Sequence, residues 1–232
     1  MPPVPIAVGP GGASDRNNKR PLMTRRCLVP LSLACALIIA ASASPLPAAD
    51  IAAGRILAEA CVGCHGDNGV SRVEYTPSLA GQPDLFVQWQ LVFFRAGVRQ
   101  NALMRPIVEA LSNEDIRNLG AYYASLPPMQ GRQPDPDPAL SRKGAEAAIG
   151  RRCASCHTDD YAGTKATARL AGQRPEYLVK ALNDYREGAR TGGGVAAMAD
   201  IAATLSAEEI DALAHYLSHL APDSATIGRK TE

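Results

Sequence analysis

The pattern Cys-x-x-Cys-His occurs twice, at Cys61–His65 and again 92 positions later at Cys153–His157, and the chain around it repeats in step. Leu79-Ala80-Gly81-Gln82 returns as Leu170-Ala171-Gly172-Gln173, and Arg95-Ala96-Gly97-Val98-Arg99 returns as Arg186-Glu187-Gly188-Ala189-Arg190. The stretch from Met104 to Leu126 returns from Met198 to Leu220. Matched blocks in one order mark a duplication, so the chain must fold as two copies of a small unit. Residues 127–138 carry five prolines in twelve positions, which end any helix and favour an extended, fairly stiff connector. The predicted division is residues 50–128 and 139–222 as domains, 129–138 as linker, and 223–232 as a polar tail.

Each copy reads as helical. Ser112-x-x-Asp115 and Ser206-x-x-Glu209 have the form of a capping box or its acidic variant. Behind them Ile116, Leu119, Tyr122 and Tyr123, and in the second copy Ile210, Leu213, Tyr216 and Leu217, recur at three- and four-residue spacing. A second helical run precedes each Arg-x-Gly-x-Arg turn, and another helix leads into each Cys-x-x-Cys-His. No useful period-two run is present, so the predicted class is all-α. Trp89, Phe93 and Phe94 at helical spacing are most simply core or cofactor-wall residues, or lie at the contact between domains.

Residues 1–49 stand apart. Arg25 and Arg26 precede an apolar run from Leu28 to Ala41 and then small residues, the pattern of a secretory signal peptide. That run is too short for a comfortable membrane span. Met23 is a plausible true start. Beyond it, from Asp50 onward, 19 basic and 22 acidic side chains leave a polypeptide charge of −3. That balance, with no block of basic residues, argues against a nucleic-acid binder.

Of six cysteines, Cys27 and Cys35 fall in the leader, and Cys61, Cys64, Cys153 and Cys156 all fall inside the two motifs. Cys-x-x-Cys-His is a specific signal for covalent attachment of a c-type haem. Two thiols three residues apart reach the two vinyl groups of one porphyrin, and the next residue, His65 or His157, lies below the ring as proximal iron ligand. Small domains with few aromatic residues usually need a staple, whether disulfides, a metal or a large buried cofactor, and a haem would supply one. A zinc site from paired Cys-x-x-Cys motifs and a pair of disulfides are the rival readings. Zinc knuckles sit close together on the chain and leave the two histidines unexplained.

The opposite ligand decides between carrying electrons and doing chemistry. Beyond the leader the methionines are Met104, Met129 and Met198. Met104 and Met198 are equivalent in the repeat, 43 residues from Cys61 and 45 from Cys153, and are expected in loops. Each is assigned as the ligand that completes a His/Met pair, raising the potential and leaving no open coordination position. An enzyme of the di-haem peroxidase kind needs a vacant position, so no enzymatic activity is expected. His215 and His219, one helical turn apart, are either a two-ligand metal site or an ordinary solvated face; their counterparts are Ala121 and Ser125. Arg95, Arg99, Arg186 and Arg190 either pair with haem propionates or form a solvated charged turn.

Together these residues resemble class I cytochromes c, and the duplication is similar to the di-haem cytochrome c4 family. The shared features are the two Cys-x-x-Cys-His motifs, the two Leu-Ala-Gly-Gln segments, and the blocks that begin Met104-Arg105-Pro106-Ile107 and Met198-Ala199-Asp200-Ile201. The resemblance implies two tandem class I cytochrome c domains, two covalently bound haem c groups, and a periplasmic carrier of single electrons. Such carriers serve a respiratory chain between a quinol-oxidising complex and a terminal oxidase. Close relatives serve as the cytochrome subunit of a flavin-dependent sulfide dehydrogenase. The implied partners are redox proteins, with no nucleic acid and no membrane contact except through partners or an uncleaved leader. Two departures are visible. Pro77 is placed to offer its carbonyl to His65, but Ala168 stands at the second site. Gly54 precedes its motif by seven residues and Gly144 by nine, which predicts different packing of the two leading helices.

Overall fold

The first copy begins where the Asp50 carboxylate accepts the backbone N–H groups of Ala52 and Ala53 at 2.8 and 3.1 Å. This meets two donors that the first turn of a helix leaves unpaired. The computed structural model describes residues 48–191 and 194–221; the leader, its possible start at Met23 and the polar tail lie outside these. From the Asp50 cap, α1 (Ile51–Leu57) runs through a 3-10 turn (Ala58–Cys61) into α2 (Val62–His65). Then follow α3 (Asp84–Arg95), α4 (Met104–Val108) and α5 (Asn113–Ser125). The second copy repeats the order with α6 (Pro138–Gly150), α7 (Ala154–His157), α8 (Pro175–Arg186), α9 (Ala196–Ala202) and α10 (Ala207–His219). The all-α expectation is met: among the described residues there is only an isolated bridge between Thr164 and Thr167. Both capping boxes form, with Ser112 and Asp115, and Ser206 and Glu209, each closing on the other's backbone N–H.

The leading helix of each copy packs on its last helix. A Cβ on Gly54 would lie 2.1 Å from the Asn118 carbonyl oxygen of α5, and one on Gly144 would lie 2.1 Å from that of Ala212 in α10. Asn118 and Ala212 are equivalent in the repeat, so the two crossings are alike. The predicted difference in packing is therefore not found. The two extra residues between Gly144 and Cys153 are taken up after the contact: α6 continues to Gly150, and Arg152 turns at φ +55° where the first copy has its 3-10 turn.

The cores are thin, as the composition implied. The first gathers Ala58, Val87, Leu119, Tyr122 and Tyr123, and the second is built around Leu178, Leu205, Ile210, Leu213 and Leu217. The proline-rich linker is not a free spacer. Met129 is only 2% exposed and packs under Gly172, where a Cβ would lie 2.7 Å from the Met129 carbonyl oxygen. Further along, the Arg132 N–H donates to the Ser218 carbonyl at 2.9 Å and the Gln133 amide to the His219 carbonyl at 3.1 Å. Those carbonyls belong to the last turn of α10 and have no partner within the helix.

The two Leu-Ala-Gly-Gln segments join the copies. Gln173 accepts from the Ser78 N–H at 2.9 Å and donates to the Ser78 carbonyl at 3.0 Å. Gln82 does the same with Arg169, at 2.9 Å in both directions. Ser78 and Arg169 are repeat equivalents, so the contact is reciprocal, and all four residues are buried. The two copies belong to one compact unit.

Candidate functional site

A continuous cleft of about 850 Å³ runs through both copies. Its walls include Cys61, Cys64, His65 and Met104 from the first, and Cys153, Cys156, His157 and Met198 from the second. The structure thus brings each predicted set together on one cavity. None of these four cysteines is paired with another in a disulfide, against the two-disulfide reading. They do not converge as a zinc cluster either: among the described residues the one group of metal-binding side chains close enough to share an ion lies elsewhere.

His65 and His157 end the short helices α2 and α7, and each is buried. The Nδ1 of His65 lies 2.8 Å from the Pro77 carbonyl oxygen, and that of His157 lies 2.9 Å from the Ala168 carbonyl oxygen. Alanine thus fills the role of the missing proline. A carbonyl only accepts, so Nδ1 carries the proton and Nε2 keeps its lone pair. Burial pushes both imidazoles below their ordinary pKa, against the opposing pull of the carbonyl. Neutral rings with a fixed tautomer are what an iron ligand requires.

Met104 is the first residue of α4, where its N–H donates to Asn101 Oδ1 at 2.9 Å. Met198 is the third residue of α9. Both therefore sit on short helices rather than in loops, half-buried on the cleft wall. Met129 is packing, as its burial in the linker shows.

The four repeat arginines divide. Arg95 donates to the Leu111 carbonyl and to Asn113, at 2.5 and 2.6 Å, and so ties α3 to the start of α5. Arg95 and Arg186 are not among the cleft-lining residues, whereas Arg99 and Arg190 are. The latter two meet from opposite copies. Each donates to Gln90 Oε1 at 2.7 Å, and each lies over an aromatic ring, Phe94 or Tyr185, at 4.5 Å. Tyr177 sits beside them: burial pushes its phenol up, but the Arg99 and Arg190 guanidiniums overcome that and bring it down to about 8. Neither guanidinium has a carboxylate partner among the described residues. Arg169, also on the cleft, buries Nε and Nη1 without a hydrogen-bond partner. Three cationic side chains at the seam of a large, mostly apolar cavity suit a cofactor that carries carboxylates. With paired thiols and neutral imidazoles on the same walls, the residues fit haem. Trp89 is 47% exposed and stacks on Phe93 with ring centroids 5.5 Å apart. It lines the cleft rather than filling the core.

The sequence matches the family model described as cytochrome c over residues 141–221 and the one described as cytochrome c oxidase, cbb3-type, subunit III over residues 49–122. It is 35% identical over 181 residues to cytochrome c4 of Pseudomonas aeruginosa, spanning 75% of this chain and 90% of the relative. The chain belongs to the cytochrome c4 family. The crystal structure of reduced recombinant cytochrome c4 from Pseudomonas stutzeri superimposes with a TM-score of 0.67 at 31% identity, covering 75% of this chain and all of that one. A thiosulfate dehydrogenase electron acceptor of Stutzerimonas stutzeri is 32% identical over 180 residues, covering 70% of this chain and 80% of its own. As a cytochrome c4 homologue the protein is a di-haem electron-transfer cytochrome with two covalently bound haem c groups, a carrier rather than an enzyme. No helix among the described residues is long and apolar enough to cross a membrane.

One feature of the site was not foreseen from the sequence. The Leu-Ala-Gly-Gln segments served there as markers of the repeat and of the family resemblance, yet their glutamines hold the copies together. The signal available was an identical polar residue kept in an otherwise apolar tetrapeptide. Of the two readings set out above for His215 and His219, a two-ligand metal site or a solvated face, the structure departs from the solvated face: both are half-buried, and His215 Nε2 lies 2.8 Å from Asp135 Oδ1.

Proposed function

We propose that the protein carries single electrons in the periplasm, from a quinol-oxidising complex towards a terminal oxidase. In this scheme Cys61 and Cys64 hold the first haem by thioether bonds, with His65 and Met104 as its iron ligands. Cys153, Cys156, His157 and Met198 do the same for the second. The domains are residues 50–128 and 139–222, and the leader directs export. When bound, each haem supplies a one-electron ferric/ferrous couple. The protein's part is to keep His65 and His157 neutral, to fix Nδ1–H on the Pro77 and Ala168 carbonyls, and to exclude water from the cleft. Arg99, Arg169 and Arg190 take up the negative charge of the propionates. The observation that carries this reading is the single cleft on which both histidines and both methionines lie. It favours six-ligand sites set close enough for an electron to enter at one copy and leave from the other.

The test is the visible spectrum of the ferrous, haem-loaded protein before and after carbon monoxide. The expected result is two haems per chain and no change. A shift at one haem means an open or weakly held position and turns the reading towards catalysis. Oxidation of the reduced protein by terminal-oxidase membranes tests the respiratory placement.

A second reading has a specific observation behind it. The similarity to a thiosulfate dehydrogenase electron acceptor supports a role as acceptor for a sulfur-compound dehydrogenase, akin to the cytochrome subunit of a flavin-dependent sulfide dehydrogenase. Native purification separates the readings: a free carrier runs alone, and a subunit runs with its dehydrogenase.

A further inference from the structure

The peptide group between Pro77 and Ser78 does two things at once. Its carbonyl faces His65 Nδ1 at 2.8 Å, and its N–H donates to Gln173 Oε1, from the other copy, at 2.9 Å. The peptide between Ala168 and Arg169 repeats this, with His157 at 2.9 Å and Gln82 at 2.9 Å. Hydrogen bonds in series through one amide polarise each other. A donor–acceptor contact at Ser78 N–H makes the Pro77 oxygen a better acceptor, which makes the imidazole more basic. We propose that Gln173 and Gln82 are crossed positioning residues: each tunes the haem of the opposite copy through a single peptide. The inference rests on the assignment of His65 and His157 as iron ligands.

The test is a redox titration of the two haems in the haem-loaded full chain. Gln173→Leu removes the acceptor at Ser78, leaves His65 less basic, and is expected to raise the potential of the first haem while the second holds. Gln82→Leu is expected to raise the second alone. A shift confined to the variant's own copy, or equal shifts of both haems, overturns the proposal, because loosened docking alone would give that. Failure of the ligand assignment shows separately: a His65→Gly chain that keeps a low-spin first haem removes His65 from the site.

A second, independent cluster lies where the linker crosses α10. One ligand atom from each of Asp135, His215 and His219 lies within 4.8 Å of the others, beside a cavity of about 330 Å³. His219 Nδ1 is 2.8 Å from the His215 carbonyl oxygen, which leaves Nε2 free to ligate. Asp135 is steadied by Ser141 Oγ at 2.6 Å and the Asp137 N–H at 2.9 Å. Imidazole pairs with one carboxylate suit zinc or copper(II) and not the oxygen-seeking calcium or magnesium. We infer a site for one such divalent ion, which would tie the linker to the second domain. Ligand bonds of about 2.0–2.2 Å set tetrahedral donors about 3.3–3.5 Å apart, so the wider pairs of the cluster must close in while the 2.8 Å contact of His215 Nε2 with Asp135 Oδ1 opens to admit the ion. Haem-loaded protein made without a polyhistidine tag and stripped by chelator is titrated with zinc chloride in a calorimeter. The expected result is saturation at one equivalent, weakened tenfold or more by His219→Ala and by His219→Gln, neither of which touches the His215–Asp135 contact. No saturable binding, or equal binding by both variants, overturns it.

Discussion

One substitution made twice in the same helix should act with opposite sign. Gly144 and Gly150 both lie in α6. A Cβ on Gly144 would stand 2.1 Å from the Ala212 carbonyl oxygen and 2.5 Å from Tyr216 Cβ, while one on Gly150 would meet nothing within 4 Å. Relieving the clash at Gly144 needs the helices to part by about 1 Å, since the facing oxygen is backbone and cannot rotate aside. Overpacking of this kind costs about 1–3 kcal/mol, at the upper end here, against a gain of about 1 kcal/mol from replacing glycine inside a helix. The expected net loss for Gly144→Ala is about 2 kcal/mol. For Gly150→Ala the clash is missing, and a gain of about 0.4–1 kcal/mol remains. Guanidinium unfolding of the haem-loaded protein, followed by far-ultraviolet circular dichroism, measures both. A Gly144→Ala chain as stable as the parent would refute the close crossing as the reason for glycine there.

Three further outcomes follow from the same contacts. Gln82→Leu strips partners from the Arg169 N–H and carbonyl, and Gln173→Leu from the Ser78 N–H and carbonyl and also from the Arg174 N–H, at about 1–3 kcal/mol per buried group. The double variant should cost less than the sum, because undocking by the first change leaves little for the second to break; full additivity in urea unfolding would argue against a shared interface. Met129→Ala empties a buried position and should cost about 2–5 kcal/mol without altering the ferrous spectrum, whereas a changed haem spectrum would reopen Met129 as a ligand. The Ser206 backbone N–H first, and Arg151 next, hold Glu209 below its ordinary pKa of 4.5. A depressed carboxylate contributes stability that is full above the unfolded value and lost as the pH falls through the folded one. The stability gap between the parent and Glu209→Gln should therefore begin to close as the pH falls below the ordinary value of 4.5 and narrow further through the depressed one, and a gap unchanged throughout acid titration would dismiss the cap as its source.

The parts legible in the sequence are those whose chemistry is local. Cys61 to His65 and Cys153 to His157 state their cofactor within five residues, and Ser112 with Asp115 states a helix start within four. Gln82 and Gln173 could not be read the same way. Their partners, Arg169 and Ser78, lie 87 and 95 residues off, and only the docking of one copy on the other brings them into reach. The glycine offset misled for a related reason. Counting from the motif treats the distance to Cys153 as fixed, whereas the packing fixes Gly144 against Ala212 and lets the Arg151–Arg152 turn absorb the difference.

The same distinction explains why the second copy tolerates Ala168 where the first has Pro77. What His157 needs is a carbonyl held still, and proline is one way to hold it. At Ala168 the following N–H is clamped by Gln82, itself buried and bonded at both amide atoms to Arg169. The first copy has the proline and the clamp together, the second the clamp alone. Loosening Gln82 should therefore disturb His157 more than loosening Gln173 disturbs His65, an inequality that side-by-side redox titrations of the two leucine variants would expose.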